Sequence, residues 1–554
     1  MLQLSLPERM IHFIFNLLML RTIQVRSSKD TPTRLVFKGL PQGSVLSPLL
    51  YSIYTWDLDK SIPSYCSVLQ YADDIALYAS SDNMDVITFR LNSALAYLEN
   101  WMSDHGLSLS PSKSNVVVFS KKRLIPQPVI LLENSSIPVV NKIKFLGVVL
   151  DQKLNGMAHT NYISQKCEKG INVLRSLSGV WWGSHPYCQK LVYNAIIRSH
   201  LDYASFILEP CNKTALVKLD RIQYKCLRLI IGAMKSTPVN ALQVECVDPP
   251  LSLRRQYLAD KYFFRLIQLS SHPLLPKIRN LLQILTLNNL RCPSDFPCLL
   301  KSLIKFNRLP DPTSQFSIHP LYSTPFHALV FIPNINVSCG IQKRAPDSNI
   351  AFNCLVSSYW HGYNVFFTDA SKVSKHLAVG VAVWHHNSKT ILQFKCPPLS
   401  SVFTGEATAI LEALNFIDSH NLQNSVIFSD SLSCLQTITS NPFRSKSKFP
   451  IIFRIKSALY NCFRKGLQVD LVHIPSHSGI IGNEKADILA KSAIQHGTLE
   501  HYSNYAHDLS SLSKDRLDCT WNSQWKNSNK GKFYRDIQPS IPRYTAPCKK
   551  FMSK

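Results

Sequence analysis

The stretch Val365-Phe-Phe-Thr-Asp369 is an apolar run that ends in a carboxylate, and it decides how the rest of the chain is interpreted. A second run of the same form, Val426-Ile-Phe-Ser-Asp430, follows later. An acid at the carboxyl end of a strand points out of the sheet, where a ligand can reach it. Two such strands side by side would bring Asp369 and Asp430 together, so we predict a ligand site at the edge of a sheet.

Two further acids can join this pair. Glu406 opens a helical pattern, and Asp487 ends the segment Gly482-Asn-Glu-Lys-Ala-Asp487. Four carboxylates at close range repel strongly unless divalent cations neutralise them. Each acid on its own has an ordinary alternative as a helix cap or a solvated surface group. Together they predict a site for divalent cations.

The residues around these acids resemble a known signature. It is that of type 1 ribonuclease H domains, which four segments follow in order: Thr368-Asp369-Ala370-Ser371, Thr404-Gly-Glu406-Ala407, Ser429-Asp430-Ser431 and Pro475-Ser-His477-Ser-Gly479-Ile-Ile-Gly482-Asn483-Glu-Lys-Ala-Asp487. The resemblance covers about a quarter of the chain. It implies Mg²⁺-dependent endonucleolytic hydrolysis of the RNA strand in RNA·DNA hybrids.

The resemblance also suggests roles for individual side chains. Two Mg²⁺ ions about 4 Å apart can activate a water, neutralise the phosphorane and stabilise the leaving oxygen. We expect Asp369 and Asp430 to bridge both ions, and Glu406 and Asp487 to complete the ligand shells. Glu406 is also the candidate to sense the 2′-hydroxyl, which distinguishes RNA from DNA. His477, with an ordinary pKa near 6.5, could relay protons or help to release product.

Contacts to nucleic acid are predicted at two places in this region. Asn483 lies in the signature itself. The loop Phe443-Arg-Ser-Lys-Ser-Lys448 is basic where related nucleases present cations to the DNA strand, which singles out Arg444, Lys446 and Lys448. A solvated surface loop is the alternative for these cations.

Composition bounds the class of protein. A chain of 554 residues predicts two to four domains, and 45% hydrophobic residues exclude an intrinsically disordered protein. A formal net charge of +26 predicts a polyanionic partner, and the aromatic residues could supply stacking surfaces. A membrane surface is the rival partner, but no basic amphipathic helix or lipidation motif stands out. We therefore expect RNA·DNA hybrid, RNA template and DNA as partners.

The cysteines and the first apolar run bear on the compartment. Fifteen cysteines without a CxxC pair favour reduced thiols over disulfides or zinc. The run Met10 to Leu20 is too short to cross a bilayer, and Glu8 and Arg9 fit a signal peptide poorly. We predict a buried helix there. The expectation is an intracellular protein, nuclear or cytoplasmic, that is not secreted and has no transmembrane segment.

A second group of motifs lies near the N-terminus. Leu35 to Gly39 reads as a strand that enters the tight turn Gly39-Leu-Pro-Gln-Gly43-Ser44, and Val45 to Tyr54 continues as a helix. Ser67 to Tyr78 reads as a hairpin with two adjacent acids at its tip. On their own, adjacent aspartates in a turn are usually turn formers.

Together these segments resemble the reverse transcriptases of jockey-type non-LTR retrotransposons. The resemblance rests on Gly39-Leu-Pro-Gln-Gly-Ser-Val-Leu-Ser-Pro48 and Tyr71-Ala-Asp-Asp74. It implies that Asp73 and Asp74 bind metal. It further implies contacts to nucleotide or nucleic acid from Gln42, Gly43, Ser44, Tyr71 and Lys113, although a surface lysine is an equal alternative for Lys113.

One departure from the family pattern concerns polymerase activity. Such polymerases hold two metals with three carboxylates, the first of them on a strand before the Gly39 segment. Upstream of Gly39 the acids are Glu8 and Asp30, and neither ends a strand pattern. We predict that the isolated chain cannot extend a primer. An active polymerase would require upstream sequence or a second chain, and a non-catalytic nucleic-acid-binding remnant is the third hypothesis.

These observations predict an α+β and α/β multidomain protein. Its parts are a partial reverse-transcriptase palm lacking fingers (1–150), a helical thumb or connection (151–285), a proline-rich extended linker (286–361), a ribonuclease H domain (362–496) and a basic tail (497–554). The basic residues of the helical region, at Arg221 to Arg228 and Pro249 to Arg255, are expected on exposed faces that contact duplex backbone, with a solvated bundle face as the alternative.

The nuclease domain is predicted as a mixed sheet with flanking helices, the first strands forming a meander and the later ones adding in parallel. Gly380 is expected where nucleic acid approaches a strand closely. The predicted strands are Asn364–Asp369, Ala378–His386, Thr390–Lys395, Ser425–Ser429 and Gln468–Ile474, and the helices are Thr404–Ser419 and Asn483–Gln495.

Overall fold

The chain divides into two compact units, Met1–Tyr162 and Ile163–Lys554. The computed structural model describes residues 7–24, 33–123, 125–179, 182–208, 213–269, 272–287, 296–309, 324–341, 347–373, 378–443, 449–499 and 505–542.

The described residues of the first unit form four α-helices and four antiparallel strand pairs before the start of the helix that continues into the second unit. Its core lies where α3, α4 and the β3–β4 hairpin meet, around Leu58, Ala94 and Leu98. The helices are α1 (Glu8–Leu18), α2 (Ser47–Tyr54), α3 (Leu58–Ser61) and α4 (Met84–Asp104). The strands, paired consecutively, are β1 (Arg21–Ile23), β2 (Arg34–Val36), β3 (Ser67–Tyr71), β4 (Asp74–Tyr78), β5 (Leu131–Leu132), β6 (Ser135–Ser136), β7 (Lys142–Phe145) and β8 (Val148–Asp151).

Two predictions for this unit have opposite outcomes. The hairpin of β3 and β4 forms as expected, with Tyr71 opposite Asp74. The helix α1 also forms, but the prediction that it is buried is wrong. Ile14 is the buried residue of α1, whereas Phe13 and Phe15 are each 57% exposed. The apolar residues of α1 cover more than half of its circumference. A helix packed on one side buries one stripe of residues only, so the other apolar side chains stay exposed.

The second unit begins within a long helix and continues as a helical assembly. The region predicted as a helical thumb or connection is helical where it is described, and it includes a turn of π-helix at Asn194–Arg198. The helices up to the nuclease sheet are α5 (Met157–Ser176), α6 (Pro186–Tyr193), α7 (Ser199–Asp202), α8 (Lys213–Ile231), α9 (Val239–Glu245), α10 (Leu251–Leu266), α11 (Leu274–Leu287), α12 (Cys298–Asn307), α13 (Phe326–Val330) and α14 (Ser348–Tyr359).

A buried charge cluster joins these helices. The carboxylate of Asp248, 1% exposed, accepts hydrogen bonds from Lys190 Nζ at 2.7 Å and from Arg198 Nη1 at 2.6 Å. It also accepts from Gln223 Nε2 at 2.6 Å and the Tyr193 hydroxyl at 3.1 Å. Lys190 and Arg198 therefore serve the packing of the helices.

Two basic residues that we predicted to contact the backbone of duplex nucleic acid make contacts within the protein instead. Arg255 is 4% exposed, and Arg254 pairs with Asp202, with Nη2 to Oδ2 at 2.8 Å. The prediction of exposed cations is therefore wrong for this pair. Helical spacing gives the face on which a residue lies, but which face is buried depends on the neighbouring helices.

A seven-stranded mixed sheet forms the core of the nuclease region. Its order is β15-β12-β11-β10-β13-β14-β9, with β10, β11 and β12 antiparallel and the remaining pairs parallel. The strands are β9 (Asn334–Asn336), β10 (Asn364–Ser371), β11 (Val379–His385), β12 (Thr390–Cys396), β13 (Asn424–Ser429), β14 (Gln468–His473) and β15 (Thr498–Leu499). The helices are α15 (Val402–Ser419), α16 (Leu432–Thr439), α17 (Pro450–Arg464), α18 (Ile481–His496), α19 (Ala506–Lys526) and α20 (Lys532–Ile537). The predicted mixed fold, a meander followed by parallel strands, is confirmed.

The structural role of Gly380 differs from the one that we predicted. A Cβ added at this position would lie 2.1 Å from the Ala490 carbonyl oxygen and 2.8 Å from the Ile494 backbone nitrogen. The absence of a side chain therefore lets α18 pack closely on β11. The expectation that nucleic acid approaches here is wrong, because a helix of the chain itself occupies that space.

The segment predicted as an extended linker is partly integrated into the nuclease region. Strand β9 pairs with the edge of β14, and Phe352 and Trp360 belong to the core on that side of the sheet. Pro297 and Pro325 each stand immediately before a helix, α12 and α13. Proline is compatible with a helix start, so these prolines mark short helices within the segment predicted as an extended linker with short local structure.

The C-terminal region also packs more tightly than predicted. Trp521 and Trp525 of α19 are 5% and 2% exposed and contact Ala241 and Val244 of α9. Helix α19 lies in the part of the chain predicted as a basic tail, and the residues beyond 542 lie outside the described residues. In the ranges given above, each helix is either too short or too polar to cross a bilayer.

Candidate active site

Strand register brings the first two acids together. In the parallel pair of β10 and β13, Thr368 lies opposite Ser429. Asp369 and Asp430 come directly after these two residues, so both lie at the same edge of the sheet. Glu406 reaches them from the first turns of α15. A Cβ added at Gly405 would lie 2.6 Å from Val379 Cγ1 and 2.8 Å from Ala370 Cβ, so glycine permits this close approach of helix and sheet.

Three carboxylates meet at this edge. One oxygen from each of Asp369, Glu406 and Asp430 lies within 4.8 Å of the others. Asp369 and Glu406 are almost completely buried, at 6% and 7% exposure. Three acids so close together and so poorly solvated are costly in their charged form.

The pKa values express this cost. Burial and then repulsion by Asp430 raise the pKa of Asp369 to about 7. Burial, followed by repulsion from Asp369 and Asp430, raises the pKa of Glu406 well above its ordinary value. Burial also raises the pKa of Asp430, although a hydrogen bond with Asn483 opposes the shift. Positive charge placed among the three would relieve all of these effects.

The oxygen atoms of the cluster fit a divalent cation. Asp369 Oδ1 accepts a hydrogen bond from the Ala370 backbone N–H at 2.7 Å, which orients this carboxylate. Glu406 Oε2 is buried and has no hydrogen-bond partner in the described protein. A buried carboxylate oxygen without a donor is an open ligand, and carboxylate oxygens are what Mg²⁺ and Mn²⁺ prefer.

Asp487 lies beside this cluster. It forms a second group with His477 and Glu484, whose ligand atoms also lie within 4.8 Å of one another. Its Oδ2 pairs with Lys491 Nζ at 2.6 Å. Its charge still contributes to the raised pKa values of Asp369 and Asp430. The structure thus brings three of the four predicted acids within 4.8 Å of one another and places the fourth as their neighbour.

His477 occupies an exposed turn at the same edge. Its backbone is left-handed, with φ of 49°, a conformation uncommon for residues other than glycine. Its proximity to Asp430 shows in the lowering effect that it has on the pKa of that carboxyl. The adjoining Gly479 N–H lies 3.4 Å from Glu484 Oε1, which links the turn to α18. The imidazole is therefore held near the acids and open to solvent.

Asn483 is placed differently from the prediction. We expected it to bind nucleic acid, but it is 3% exposed and its side chain hydrogen-bonds with Asp430. This contact favours the charged carboxylate and orients it. The motif identified Asn483 as part of the site. That its side chain is buried in the first turn of α18 could not be deduced from the motif.

Sequence reasoning missed three members of the site. Glu484 lies one helical turn before Asp487, a spacing that places both on one face and that could have revealed it. Lys491, one turn after Asp487, could have been found by the same rule. His473 ends β14 and contacts the backbone of Asp430, and burial lowers its pKa. No local signal distinguished His473 from an ordinary strand residue.

The predicted polymerase residues belong to the first unit. Asp73 and Asp74 are exposed at the hairpin tip beside Tyr71, which is 66% exposed. Neither acid belongs to the metal-ligating groups found among the described residues. Their role as metal ligands therefore stays a prediction.

The other predicted nucleotide contacts lie on two turns. Gly43 has φ of +84°, which explains the glycine, and the adjacent Gln42 is exposed. Ser44 Oγ accepts a hydrogen bond from Leu46 N at 3.3 Å, and Lys113 is exposed at the end of a short 3₁₀ turn. Arg444, Lys446 and Lys448 lie outside the described residues.

Asp369→Asn should stabilise the metal-free protein while removing a ligand. The variant keeps an oxygen to accept from Ala370 N–H and removes one charge from the repelling cluster. We expect its unfolding midpoint in urea with EDTA to rise by an amount equivalent to about 1–2 kcal/mol. Added Mg²⁺ should stabilise the wild type more than the variant. A midpoint at or below that of the wild type in EDTA would contradict the repulsion described above.

A mixed sheet of this order, with clustered carboxylates at the ends of adjacent parallel strands, has the architecture of a ribonuclease H-type domain. Comparison with protein families agrees: residues 362–495 match the family model of RNase H, and residues 2–150 match that of reverse transcriptase (RNA-dependent DNA polymerase). Both resemblances drawn from the sequence motifs are thereby confirmed.

Individual relatives carry the same two names. The RNA-directed DNA polymerase from mobile element jockey of Drosophila funebris is 27% identical over 241 residues, 42% of this chain and 26% of the relative. The probable RNA-directed DNA polymerase from transposon X-element of Drosophila melanogaster is 32% identical over 206 residues, 36% of this chain and 22% of the relative. Ribonuclease H1 of Homo sapiens is 24% identical over 145 residues, 24% of this chain and 51% of the relative. The chain thus spans about a quarter of the length of these retroelement proteins.

Proposed function

We propose that the second unit hydrolyses the RNA strand of RNA·DNA hybrids endonucleolytically with Mg²⁺, in a protein derived from a retrotransposon. The observation that carries the proposal is the buried cluster of Asp369, Glu406 and Asp430. Its raised pKa values and its unpartnered Glu406 oxygen suit it to cations, and a structural cluster would be expected to have hydrogen-bond donors instead.

The side chains of the site have distinct roles in this proposal. Asp369, Glu406 and Asp430 would hold divalent cations, with Asp487 beside them. The bound ions would supply activation of the attacking water and neutralisation of charge on the phosphoryl group. Asn483 and Ala370 N–H orient the two aspartates, so that their oxygens stay directed into the cluster. Glu406 is also the candidate to sense the ribose 2′-hydroxyl, which DNA lacks. The exposed imidazole of His477 can take up and release a proton at a ring nitrogen near the reacting phosphate.

A hybrid-cleavage assay tests the proposal. The full chain is incubated with an RNA·DNA hybrid labelled on the RNA, with Mg²⁺ or with EDTA. We expect RNA fragments with Mg²⁺ only, and no cutting of single-stranded RNA, duplex RNA or duplex DNA of the same sequence. Absence of Mg²⁺-dependent cutting of the hybrid would favour the alternative of a non-catalytic nucleic-acid-binding protein.

RNA-directed DNA synthesis is the second candidate function. It is favoured by the exposed carboxylates of the β3–β4 hairpin and by the reverse-transcriptase match over the same region. The isolated chain is expected to leave a primer on an RNA template unextended, because a two-metal polymerase site needs a further carboxylate. Extension that appears only after upstream coding sequence or a partner is added would support the second candidate.

A further inference from the structure

A buried carboxylate outside the RNase H match contacts the helix that carries Glu406. Asp508, in the first turn of α19, has 0% exposure. Its Oδ1 accepts a hydrogen bond from Ser401 N–H at 3.0 Å. The Thr404 hydroxyl lies 2.8 Å from the same oxygen and 3.0 Å from Oδ2. Asp508 therefore satisfies both a backbone and a side-chain donor at the start of α15.

Two further contacts restrain this end of α15, a helix cap and close packing on the sheet. Ser401 caps the helix by accepting from Thr404 N–H at 3.2 Å. Gly405 lets the same turn press against Ala370 and Val379. The Glu406 side chain interacts with Asp369 and with the Ala370 backbone N–H, while its Oε2 has no hydrogen-bond partner among the described residues. Its position consequently depends on where the backbone of this first turn lies.

The α19 helix is itself firmly anchored away from the site. Leu509 is fully buried among residues of α10 and α12, and Arg516 Nη1 contacts Asp260 Oδ2 at 3.0 Å. Trp521 and Trp525 pack against α9 at the far end of α19. Asp508 therefore belongs to a helix whose position is fixed by its own packing. Its contacts with Ser401 and Thr404 can consequently restrain α15.

We propose that Asp508 is a positioning residue of the nuclease, which holds the first turn of α15 so that Glu406 stays beside Asp369 and Asp430. The residues after the RNase H match then form part of the working domain. This inference rests on the proposed nuclease function. The substrate does not touch Asp508, so its effect must appear through Glu406, in metal use and turnover and not in hybrid affinity.

The test compares Asp508→Ala with the wild type in the full chain. Cleavage of the hybrid is measured against Mg²⁺ and hybrid concentration. Because small displacements of a reacting group are costly, we expect kcat to fall by about tenfold or more. The Mg²⁺ concentration for half-maximal rate should rise, while KM for the hybrid stays within about twofold. Asp508→Asn should keep most of the activity, because one amide oxygen can accept from both Ser401 and Thr404.

Two more variants separate positioning from general stability. Thr404→Val keeps the shape and removes the hydroxyl donor, so it should change Mg²⁺ dependence in the same direction even if Asp508→Ala does not fold. Trp521→Ala removes packing against α9 at the far end of α19, while Leu509 and Arg516 still hold the end near Asp508, so it should leave kcat and Mg²⁺ dependence unchanged. Equal losses in Trp521→Ala, or unchanged values in both Asp508→Ala and Thr404→Val, would overturn the inference.

A metal-binding readout works without activity. Mg²⁺ should raise the thermal midpoint of the wild type, and this rise should be smaller in Asp508→Ala and Thr404→Val. If the wild type binds Mg²⁺ but cuts no hybrid, the proposed function fails while the positioning role is still measured. If the wild type cuts and the variants match it in both readouts, the positioning role alone fails.

Discussion

Asp430→Asn is expected to reduce hybrid cleavage by about 10³-fold. The substitution keeps the size of the side chain. It removes the negative charge that Asp430 contributes to the cluster with Asp369 and Glu406. A neutral amide is a poor ligand for a divalent cation, and the phosphoryl group would lose the compensating positive charge at the moment of attack. The measurement is kcat on the labelled hybrid at saturating Mg²⁺.

Binding of the hybrid should survive this substitution. The affinity of basic proteins for nucleic acid comes chiefly from contacts to phosphates, and removing one acid does not weaken them. We expect the Kd for the hybrid, measured in EDTA, to stay within about threefold of the wild type. A matched control is Asp418→Asn at the far end of α15, where the carboxylate pairs with Lys465 at 2.7 Å. Mg²⁺-dependent cleavage retained by Asp430→Asn would refute the assignment of the site.

Asp248→Asn is expected to have the largest effect on stability. The substitution leaves the ammonium of Lys190 and the guanidinium of Arg198 without the buried carboxylate between them. Breaking one partner of a buried ion pair costs about 3–5 kcal/mol, because the remaining charge has neither water nor a counter-ion. The burial of Asp248 raises its pKa, but Lys190 and Arg198 outweigh this and hold the pKa below the ordinary value. The charged form is therefore the one that the fold needs at neutral pH.

Urea unfolding of the full chain, followed by circular dichroism, measures this effect. The transition of the helical part should move to lower urea in Asp248→Asn. Glu168→Gln is the matched control, since its pair with Lys225 is about half exposed and exposed pairs contribute about 0–1 kcal/mol. A shift for Asp248→Asn no larger than that of Glu168→Gln would show that the cluster does not stabilise the fold.

The nuclease strands illustrate how far local patterns reach. The predicted strand Asn364–Asp369 is observed as Asn364–Ser371, and the predicted Gln468–Ile474 as Gln468–His473. Apolar runs of this length are hard to mistake, because strands buried on both faces need them. The short helices after Pro297 and Pro325 could not be located from the sequence, since the local signal of proline is the same at a helix start and in a linker.

Side-chain environment was the less predictable part of the site. Asn483 was singled out from its motif, and yet burial beside Asp430 gives it a different contact from the one expected. Arg255 was expected on an exposed face, but it is buried. Such outcomes depend on which helices pack together, and a single segment does not carry that information.

The sequence by itself determined most strands and helices of the ribonuclease H-like region, which carboxylates end strands, and which two families the chain resembles, because these depend on residues near one another in the chain. Only the tertiary structure decided that Asp369, Glu406 and Asp430 meet within 4.8 Å, that Asp487 pairs with Lys491, and that Asp508 supports α15. These contacts join residues far apart in sequence. Their distances follow from strand register and helix packing, which the buried apolar surfaces of the whole unit fix together.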